Sequence, residues 1–406
     1  MKHSRNIVGG LLVAGSVIVL ATSGWVQTAS QTHAGTAAQG SSTCRAIALR
    51  APHLPGKLSY PTYVAGSATQ SSNIWLVGSR IRNKNHVVTL AERWNGQRWI
   101  NTPTPDPTSR GIHDDQLLGV GALSSHLAWA IGTSDLSPFL ARWNGVRWSL
   151  DRALPKHAVV DAMATSGHDH AWIVGRTGNS NSSKAAIFTW DGFTWRETKL
   201  PVAGELTGVT ALSPGNVWVI GQHFTASAPP IPIVAHWNGS SWRVLPTAPR
   251  PSSPRYSEFG FMALGTSGQS SLWAGGNWNA GPRTAGSPLL DRWNGTHWEN
   301  VPFPQTPSTV ISAIYVNSPT DVWVGANRES YDAPFPPQGF LEHWNGARWS
   351  ALRVPGAHPY SNLQAIVPVP GDGLRLIGWT GRRPANSKPF FETVQHPMVD
   401  RLTCRS

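Results

Sequence analysis

Trp237-Asn238-Gly239-Ser240-Ser241-Trp242 is one of six copies of a motif in which two tryptophans flank Asn or Asp, Gly and two variable residues. The copies run from Trp94 to Trp99, Trp143 to Trp148, Trp190 to Trp195, Trp237 to Trp242, Trp293 to Trp298 and Trp344 to Trp349. Asn-Gly between two apolar segments is the strongest short-range signal of a β-hairpin, because a type I′ turn needs a positive φ at both positions and these residues tolerate it. Each copy therefore predicts a tight hairpin with a type I′ turn.

Two further strands precede each hairpin. The first sign is a tryptophan in an apolar segment that ends in Gly or Ala: Trp75, Trp129, Trp172, Trp218, Trp273 and Trp323. The second is an alanine, 7 or 10 residues earlier, inside another short apolar segment: Ala65, Ala122, Ala162, Ala211, Ala263 and Ala313. Each repeat is therefore predicted to contain four strands.

The spacing of the repeats predicts a ring. Successive hairpins lie 47 to 56 residues apart, which is typical of β-propellers, in which four-stranded blades pack around a channel. A seventh unit begins at Ala365, and Leu374-Arg375-Leu376-Ile377-Gly378 supplies its second strand, with Arg375 in the tryptophan position. Its hairpin is missing, and the segment from Phe390 to Val394 leads to the C-terminus without a convincing fourth strand. We therefore predict an all-β, seven-bladed β-propeller of four-stranded antiparallel blades.

The N-terminal strand is predicted to close this ring. The segment Cys44 to Pro52 is similar to the fourth strand of unit six, Trp349 to Pro355, so it can complete the last blade. The chain contains two cysteines, Cys44 and Cys404, at the two ends of the predicted ring. Closure brings these ends together, so we predict a Cys44–Cys404 disulfide, with two unrelated thiols as the alternative.

The first 43 residues predict export. Residues 1–28 combine a basic start with an apolar segment from Ile7 to Ala21, the layout of a secretory signal peptide. The alternative is an uncleaved membrane anchor, because the apolar segment can be extended through Trp25 to about the length of a membrane span. Residues 29–43 are predicted to be a disordered linker, and residues 44–404 the propeller. The expected location is extracellular, or else the outer face of the cytoplasmic membrane.

The repeat also resembles a known superfamily. The sequence from Val217-Trp218-Val219-Ile220-Gly221 to Trp242 is an apolar strand ending in Gly, a variable loop, an aromatic residue, a turn and a Trp. This resembles the kelch-like or galactose-oxidase-type β-propeller superfamily. The resemblance implies the architecture but no particular chemistry, since such propellers include both enzymes and binding modules. The copper site of galactose oxidase uses a tyrosine linked to a cysteine, and ring closure explains both cysteines here better.

Most of the 21 tryptophans are predicted to be structural. Twelve belong to hairpins and six to second strands, so these 18 are expected between the blades. Trp25 lies in the N-terminal segment. Trp278 and Trp379 remain, both just after a second strand, and they are candidate ligand-binding aromatics unless they are partly buried.

Loop lengths predict which face binds a ligand. The connection between the third and fourth strands is invariant, whereas 14 to 21 residues separate the tryptophans on either side of the second-to-third connection. The second-to-third loops carry ten cations, Arg80, Arg82, Lys84, Arg176, Lys184, Arg283, Arg328, Arg382, Arg383 and Lys388, and three acids, Asp135, Glu329 and Asp332. Arginine suits carboxylate or sulfate groups; the alternative is ordinary solvated loop charge. The candidate ligand-binding residues are Arg80, Arg82, Arg176, His223, Trp278, Arg283, Arg328, Tyr331, Trp379, Arg382 and Arg383.

These observations favour a secreted binding module over an enzyme. The formal charge is +12, or +10 without Lys2 and Arg5, and together with export it favours an anionic glycan or another cell-surface partner over nucleic acid. A membrane role is expected only through an uncleaved N-terminal segment. No cofactor or metal is predicted, because His168 to His170 fits a turn and His113 with Asp114 is a weak ligand pair.

Two alternatives stay open. One is a hydrolase or lyase acting on acidic polysaccharide, in which Tyr331, Tyr256, His113 or His223 would handle protons. The other is an assembly module that uses the outer edges of the blades. The sequence does not predict the oligomeric state.

Overall fold

The computed structural model describes residues 43–52, 61–82, 86–105, 107, 114–135, 137–151, 154–155, 157–178, 183–223, 230–248, 258–279, 286–304, 308–328, 337–357, 359–382 and 394–405. The predicted signal segment and linker lie outside these ranges, except that Thr43 already belongs to the first strand. Among the residues described, no helix is long and apolar enough to cross a membrane.

The described residues form 28 strands, which we number in chain order. The first is β1 (Thr43–Ala48), and blade one follows with β2 (Thr62–Gln70), β3 (Asn73–Arg82), β4 (His86–Trp94) and β5 (Trp99–Asn101). Blade two contains β6 (Asp115–Ala122), β7 (Ala128–Ser134), β8 (Ser137–Trp143) and β9 (Trp148–Asp151). Blade three contains β10 (Ala158–Ser166), β11 (His170–Thr177), β12 (Lys184–Trp190) and β13 (Trp195–Ala203).

The second half of the ring repeats this order. Blade four contains β14 (Glu205–Ser213), β15 (Asn216–His223), β16 (Ile231–Trp237) and β17 (Trp242–Val244). Blade five contains β18 (Glu258–Gly268), β19 (Ser271–Asn279), β20 (Ser287–Trp293) and β21 (Trp298–Asn300). Blade six contains β22 (Thr309–Ser318), β23 (Asp321–Arg328), β24 (Gln338–Trp344) and β25 (Trp349–Leu352). Blade seven contains β26 (Ser361–Pro368), β27 (Leu374–Arg382) and β28 (Val394–Arg405), with β1 as its outermost strand.

The sheets form a closed ring of seven antiparallel blades, as predicted. The first strand of every blade contacts the first strand of both neighbouring blades, so the first strands surround the centre. In blade seven β1 pairs with β28, and Cys44 lies directly opposite Cys404. A disulfide with an S–S distance of 2.04 Å joins them across 360 residues of chain. The predicted closure and disulfide are therefore confirmed.

The recurring tryptophans fill the space between the blades. Trp75, in the second strand of blade one, is fully buried and packs on Trp143 and Trp148 of blade two with ring centroids 5.1 Å away in both cases. All six second-strand tryptophans are buried: five cluster with hairpin tryptophans of the next blade, and Trp323 clusters with apolar residues of blade seven, which has no such hairpin. The hairpin tryptophans are buried or half-buried. The prediction that these 18 residues are structural is therefore confirmed.

The hairpin turns differ from the predicted geometry. Gly96 and its five equivalents have φ values between 92° and 99°, but none of the preceding Asn or Asp residues has a positive φ. Asn95 instead accepts two hydrogen bonds, from the backbone N–H groups of Gln97 at 3.0 Å and Arg98 at 2.9 Å. Only the glycine of each hairpin has a positive φ, whereas a type I′ turn needs a positive φ at both central positions. The prediction of a type I′ turn was wrong, because the Asn residue does not adopt a positive φ and its side chain instead accepts hydrogen bonds from the two N–H groups that follow the glycine.

A β-bulge interrupts the first strand of every blade at an equivalent place. The seven bulged residues are Val64, Leu118, Asp161, Thr207, Met262, Ser312 and Gln364. The residue after each bulge is small: Ala65, Gly119, Ala162, Gly208, Ala263, Ala313 and Ala365. The predicted alanine positions in blades two and four, Ala122 and Ala211, are therefore not equivalent to the others, because glycine stands at the matching place.

Candidate functional site

The candidate site lies on one face of the ring, where the first strands begin and the second strands end. We call this the loop face. In blade six, for example, Thr309 at the start of β22 pairs with Arg328 at the end of β23. In blade seven, Ser361 pairs with Thr380, two residues before the end of β27. The second-to-third loops leave the blades on this face, and most of their residues lie outside the described ranges.

Eight of the eleven predicted ligand-binding residues lie at strand ends on the loop face: Arg80, Arg82, Arg176, His223, Trp278, Arg328, Trp379 and Arg382. For Arg82 and Arg382, the position on the loop face is given by the backbone of the strand. The other three, Arg283, Tyr331 and Arg383, lie outside the described residues, as do Tyr256 and His113. Ligand binding by these residues stays a prediction.

The two candidate tryptophans differ in their surroundings. Trp278 packs against the core cluster between blades four and five. Trp379 lies on the face of β27 that meets blade one and is half-buried like Trp278, so the alternative of partial burial applies to both. Arg328 is also partly held by packing, since its guanidinium lies 5.1 Å from the centre of the Phe340 ring. Trp379 is therefore the better candidate for an aromatic ligand contact.

Charge is distributed unevenly around the loop face. Blades six, seven and one are neighbours in the ring, and their second strands end in Arg328, Arg382 and the pair Arg80 and Arg82. We call these three blades the arginine side. Among the described residues, no Asp or Glu lies at a strand end on the loop face of these blades. Carboxylates lie instead on blades two to four, the acid side: Asp114, Asp115, Asp135, Asp161 and Glu205.

The acid side was not predicted from the sequence. The charge of the loop face was predicted from the second-to-third loops alone. These loops include Asp135 but not the acidic residues at the starts of the first strands. Asp114 belongs to the connection before β6, and its backbone N–H donates to Asp135 Oδ1 at 3.0 Å. One feature of the sequence could have identified Asp161 as a candidate site residue. It is the only acid in an apolar segment, Ala158-Val159-Val160-Asp161-Ala162.

The junction between blades three and four combines opposite charges. Arg176 Nε donates to Glu205 Oε1 at 3.1 Å, and His223 Nδ1 donates to the Ala203 carbonyl at 2.9 Å. Asp161, the bulged residue of β10, interacts with the Glu205 carboxyl. Burial, with a further contribution from the nearby Glu205 charge, raises the pKa of Asp161 to about 8. Perturbed carboxyl groups of this kind occur at functional sites more often than elsewhere.

The proposed turn at His168 to His170 has a structural role. His170 Nδ1 lies 2.7 Å from Asp169 Oδ1, and its ring stacks on the buried Trp172 with centroids 6.0 Å apart. Within the part of the chain that the structure describes, no group of three or more His, Cys, Asp or Glu residues is arranged to hold a metal ion.

The fold and the charged loop face define a seven-bladed β-propeller with a candidate binding face. No protein-family model matches the chain, and no curated protein matches it. The finer resemblance to the kelch-like and galactose-oxidase-type superfamily is therefore not confirmed.

Solved structures with the same fold are distant in sequence. YCF48 from Cyanidioschyzon merolae is 15% identical with a TM-score of 0.56, and the match covers 87% of this chain and 99% of that chain. YCF48 bound to a D1 peptide is 15% identical with a TM-score of 0.53, covering 89% and 95%. A polysaccharide lyase of family PL25, an ulvan lyase bound to a glucuronic acid and sulfated rhamnose unit, is 11% identical with a TM-score of 0.54, covering 86% and 96%. At these identities the matches show the fold alone.

Proposed function

We propose that this propeller is an exported binding module for acidic saccharides, and that the arginine side of the loop face holds the anionic groups. The observation that carries the proposal is the position of Arg80, Arg82, Arg328 and Arg382 at strand ends of three neighbouring blades. Rigid strand ends hold cations at fixed places on one rim, and guanidinium groups recognise carboxylate and sulfate through paired hydrogen bonds.

The uneven charge distribution supports this choice of side. On the acid side, Arg176 pairs with Glu205 and Asp161 keeps its proton, so Asp114, Asp115 and Asp135 of blade two are the acids that repel anionic groups. An acidic chain that approaches the loop face is therefore directed toward blades six, seven and one. Export is part of the proposal because residues 1–28 have the layout of a signal peptide and the Cys44–Cys404 disulfide fits an oxidising compartment.

The structural neighbours are compatible with two kinds of ligand. Propellers of this shape include one bound to an acidic saccharide unit and one bound to a peptide. Those matches do not transfer a ligand to this chain, so the arginine side is what favours the saccharide. A cell-surface protein or peptide with acidic side chains would present the same carboxylate chemistry.

Binding to defined oligosaccharides tests the proposal. The purified chain is titrated calorimetrically with hexagalacturonate, with the same oligosaccharide after reduction of its carboxylates to alcohols, and with an acidic hexapeptide. We expect saturable binding of hexagalacturonate that weakens as salt rises, because exposed charges are screened. Equal binding of the acidic and reduced forms, or binding of the peptide alone, would contradict the proposal.

A pair of charge-removing variants locates the effect. Arg382→Ala removes one positive charge from the arginine side, and Arg348→Ala removes one from an exposed hairpin tip on the opposite face. We expect Arg382→Ala to weaken hexagalacturonate binding several-fold, while Arg348→Ala changes it by less than about 2-fold, since its charge lies far from the loop face. Equal losses in the two variants would mean that only net charge matters.

A second candidate function is an enzyme that cleaves acidic polysaccharide. The observation that favours it is the group of Asp161, Glu205 and His223 at the junction of blades three and four. A carboxyl group that keeps its proton near neutral pH can donate that proton to a leaving group. Shortening of polygalacturonate by the wild-type chain, with loss of that activity in Asp161→Asn, would establish this function in place of simple binding.

A further inference from the structure

The junction where blade seven meets blade one, which we call the 7–1 junction, contains three buried polar atoms that lack a hydrogen-bond partner among the described residues. They are the Tyr63 hydroxyl, Arg80 Nε and Asn362 Oδ1. Tyr63 is 0% exposed. Leaving such an atom unpaired costs about 1–3 kcal/mol, and native proteins contain few of them. Other junctions also contain unpaired buried atoms, but those between blades two and three and between blades five and six are mainly indole N–H groups. The 7–1 junction instead combines a hydroxyl, a guanidinium nitrogen and an amide oxygen, which together point to a bound group that supplies the missing partners.

The register of the strands places all three residues on the two surfaces that meet there. Tyr63 packs with Leu76 of β3 and with Ile377 of β27 in one cluster. Arg80 lies four residues after Leu76 in the same strand, on the same surface, because side chains alternate along a strand. Asn362 pairs with Trp379, which lies two residues after Ile377. Asn362 and Trp379 therefore share the surface of blade seven that meets blade one.

The chemical types of these groups are complementary to an acidic sugar. The Tyr63 hydroxyl and Arg80 Nε are both donors without an acceptor, and Asn362 Oδ1 is an acceptor without a donor. Trp379 is half-buried and adds an aromatic surface at the same junction. Sugar rings have apolar faces that pack on indoles, and their hydroxyl and carboxylate groups both donate and accept.

Arg80 already interacts electrostatically with one acid at this junction, the buried Glu92. Glu92 lies below the pair Tyr63 and Arg80, and its carboxylate accepts a hydrogen bond from Asn101 Nδ2 at 2.9 Å. Burial raises the pKa of Glu92, which weakens the repulsion that its charge would exert on a ligand. Burial, together with the nearby Glu92 charge, also raises the pKa of the Tyr63 hydroxyl, so that this group stays a donor.

We propose that the 7–1 junction is the subsite for one carboxylate-bearing sugar ring of the acidic saccharide. Trp379 packs on the ring, Arg80 pairs with the carboxylate, and Asn362 accepts from a ring hydroxyl. Tyr63, buried beneath Arg80, reaches the carboxylate through a bound water. This subsite rests on the proposed function, because it assigns a place on the arginine side to the ligand proposed above.

The test compares four variants with the wild-type chain: Trp379→Ala, Arg80→Gln, Tyr63→Phe and the control Phe193→Ala. Each is titrated calorimetrically with hexagalacturonate and with its carboxyl-reduced form, and its thermal unfolding midpoint is recorded. Phe193 is the matched control, since it is an exposed aromatic residue at a hairpin tip on the face opposite the loop face, and its loss is expected to change neither affinity.

The variants are expected to differ in a defined way. Arg80→Gln lowers the affinity for hexagalacturonate about 10-fold or more and leaves the weaker affinity for the reduced form unchanged. Trp379→Ala lowers both affinities about 10-fold, because the ring stacks with or without its carboxylate. Tyr63→Phe lowers only the hexagalacturonate affinity, about 3- to 10-fold. Its unfolding midpoint stays the same or rises, because the hydroxyl has no partner among the described residues of the free protein.

Two kinds of failure can be told apart. If the wild-type chain binds hexagalacturonate and the three variants bind it equally well, the subsite is wrong and the proposed function stands. If the wild-type chain does not bind hexagalacturonate, the proposed function is overturned and the subsite with it. A lower unfolding midpoint in Tyr63→Phe would show that its hydroxyl has a partner in the free protein, and this would also overturn the subsite.

Discussion

Arg375 occupies the position that tryptophan holds in the other six blades, and it is almost fully buried. Its guanidinium forms an ion pair with Asp372 and also donates to the Asp372 backbone carbonyl at 3.0 Å. Arg401, directly opposite Arg375 in β28, pairs with the same carboxylate. One acid in the turn before β27 therefore compensates two cations where blade seven lacks its indole.

Asp372→Asn is expected to lower the free energy of unfolding by about 3 kcal/mol, because removing one partner leaves a buried charge uncompensated. Urea unfolding measures the effect, with Glu197→Gln on the outermost strand of blade three as a control for the loss of an exposed acid. A change below about 0.5 kcal/mol in Asp372→Asn would contradict the ion-pair account.

Asp161 leads to a prediction about pH. Its pKa is raised in the folded chain to about 8, so the folded state binds a proton that the unfolded state releases near its ordinary pKa. The free energy of unfolding therefore falls as pH rises between these two values. From pH 5 to pH 8, wild type is expected to lose on the order of 3 to 4 kcal/mol relative to Asp161→Asn. Urea unfolding of both proteins at the two pH values checks this, and parallel changes would contradict it.

The sequence predicts the positions of the hairpin turns but not their type. The six Trp-flanked Asn-Gly or Asp-Gly copies correctly predicted where each turn lies. The type of turn was not predictable from the residue pair, because Asn238 Oδ1 accepts from the N–H groups of Ser240 and Ser241 and leaves Gly239 as the positive-φ residue. Side-chain hydrogen bonds of this kind depend on conformation as well as on composition.

Gly239→Ala tests the hairpin. The φ of Gly239 is 95°, a conformation that costs an L-residue about 1–2 kcal/mol. The control is Gly268→Ala, where an added Cβ meets nothing within 4 Å and φ is not positive. We expect Gly239→Ala to lower the free energy of unfolding by about 1 kcal/mol and Gly268→Ala to leave it unchanged or raise it. Equal effects would count against the turn geometry.

The residues of the candidate site were only partly predictable from the sequence. Arginines at the ends of the second strands were identified because their position follows directly from the repeat. Asp161 and Glu205 were missed, because the bulge and the start of the next blade bring them onto the loop face. The unpaired atoms of Tyr63 and Asn362 were not predictable, since these residues are far apart in sequence and meet only after the ring closes.

Closure of the seven-bladed ring connects the fold with the proposed site. The 7–1 junction exists because blade seven, completed by β1, packs against blade one. The disulfide holds β1 on β28. Loss of this link is therefore expected to weaken both the ring and the subsite that depends on its last junction.

Cys44→Ser combined with Cys404→Ser is expected to lower the free energy of unfolding by about 2–5 kcal/mol. Chemical denaturation of the oxidised wild type, the reduced wild type and the double variant measures the effect. The last two should unfold at the same denaturant concentration, below the oxidised wild type. Coincident transitions for all three proteins would show that the disulfide does not stabilise the ring.

A crystal structure of the protein soaked with hexagalacturonate shows whether an acidic sugar binds at the 7–1 junction. We expect electron density for a sugar ring against Trp379, with a carboxylate oxygen within hydrogen-bonding distance of Arg80. Density for the oligosaccharide on blades two to four, or on the face opposite the loop face, would contradict it.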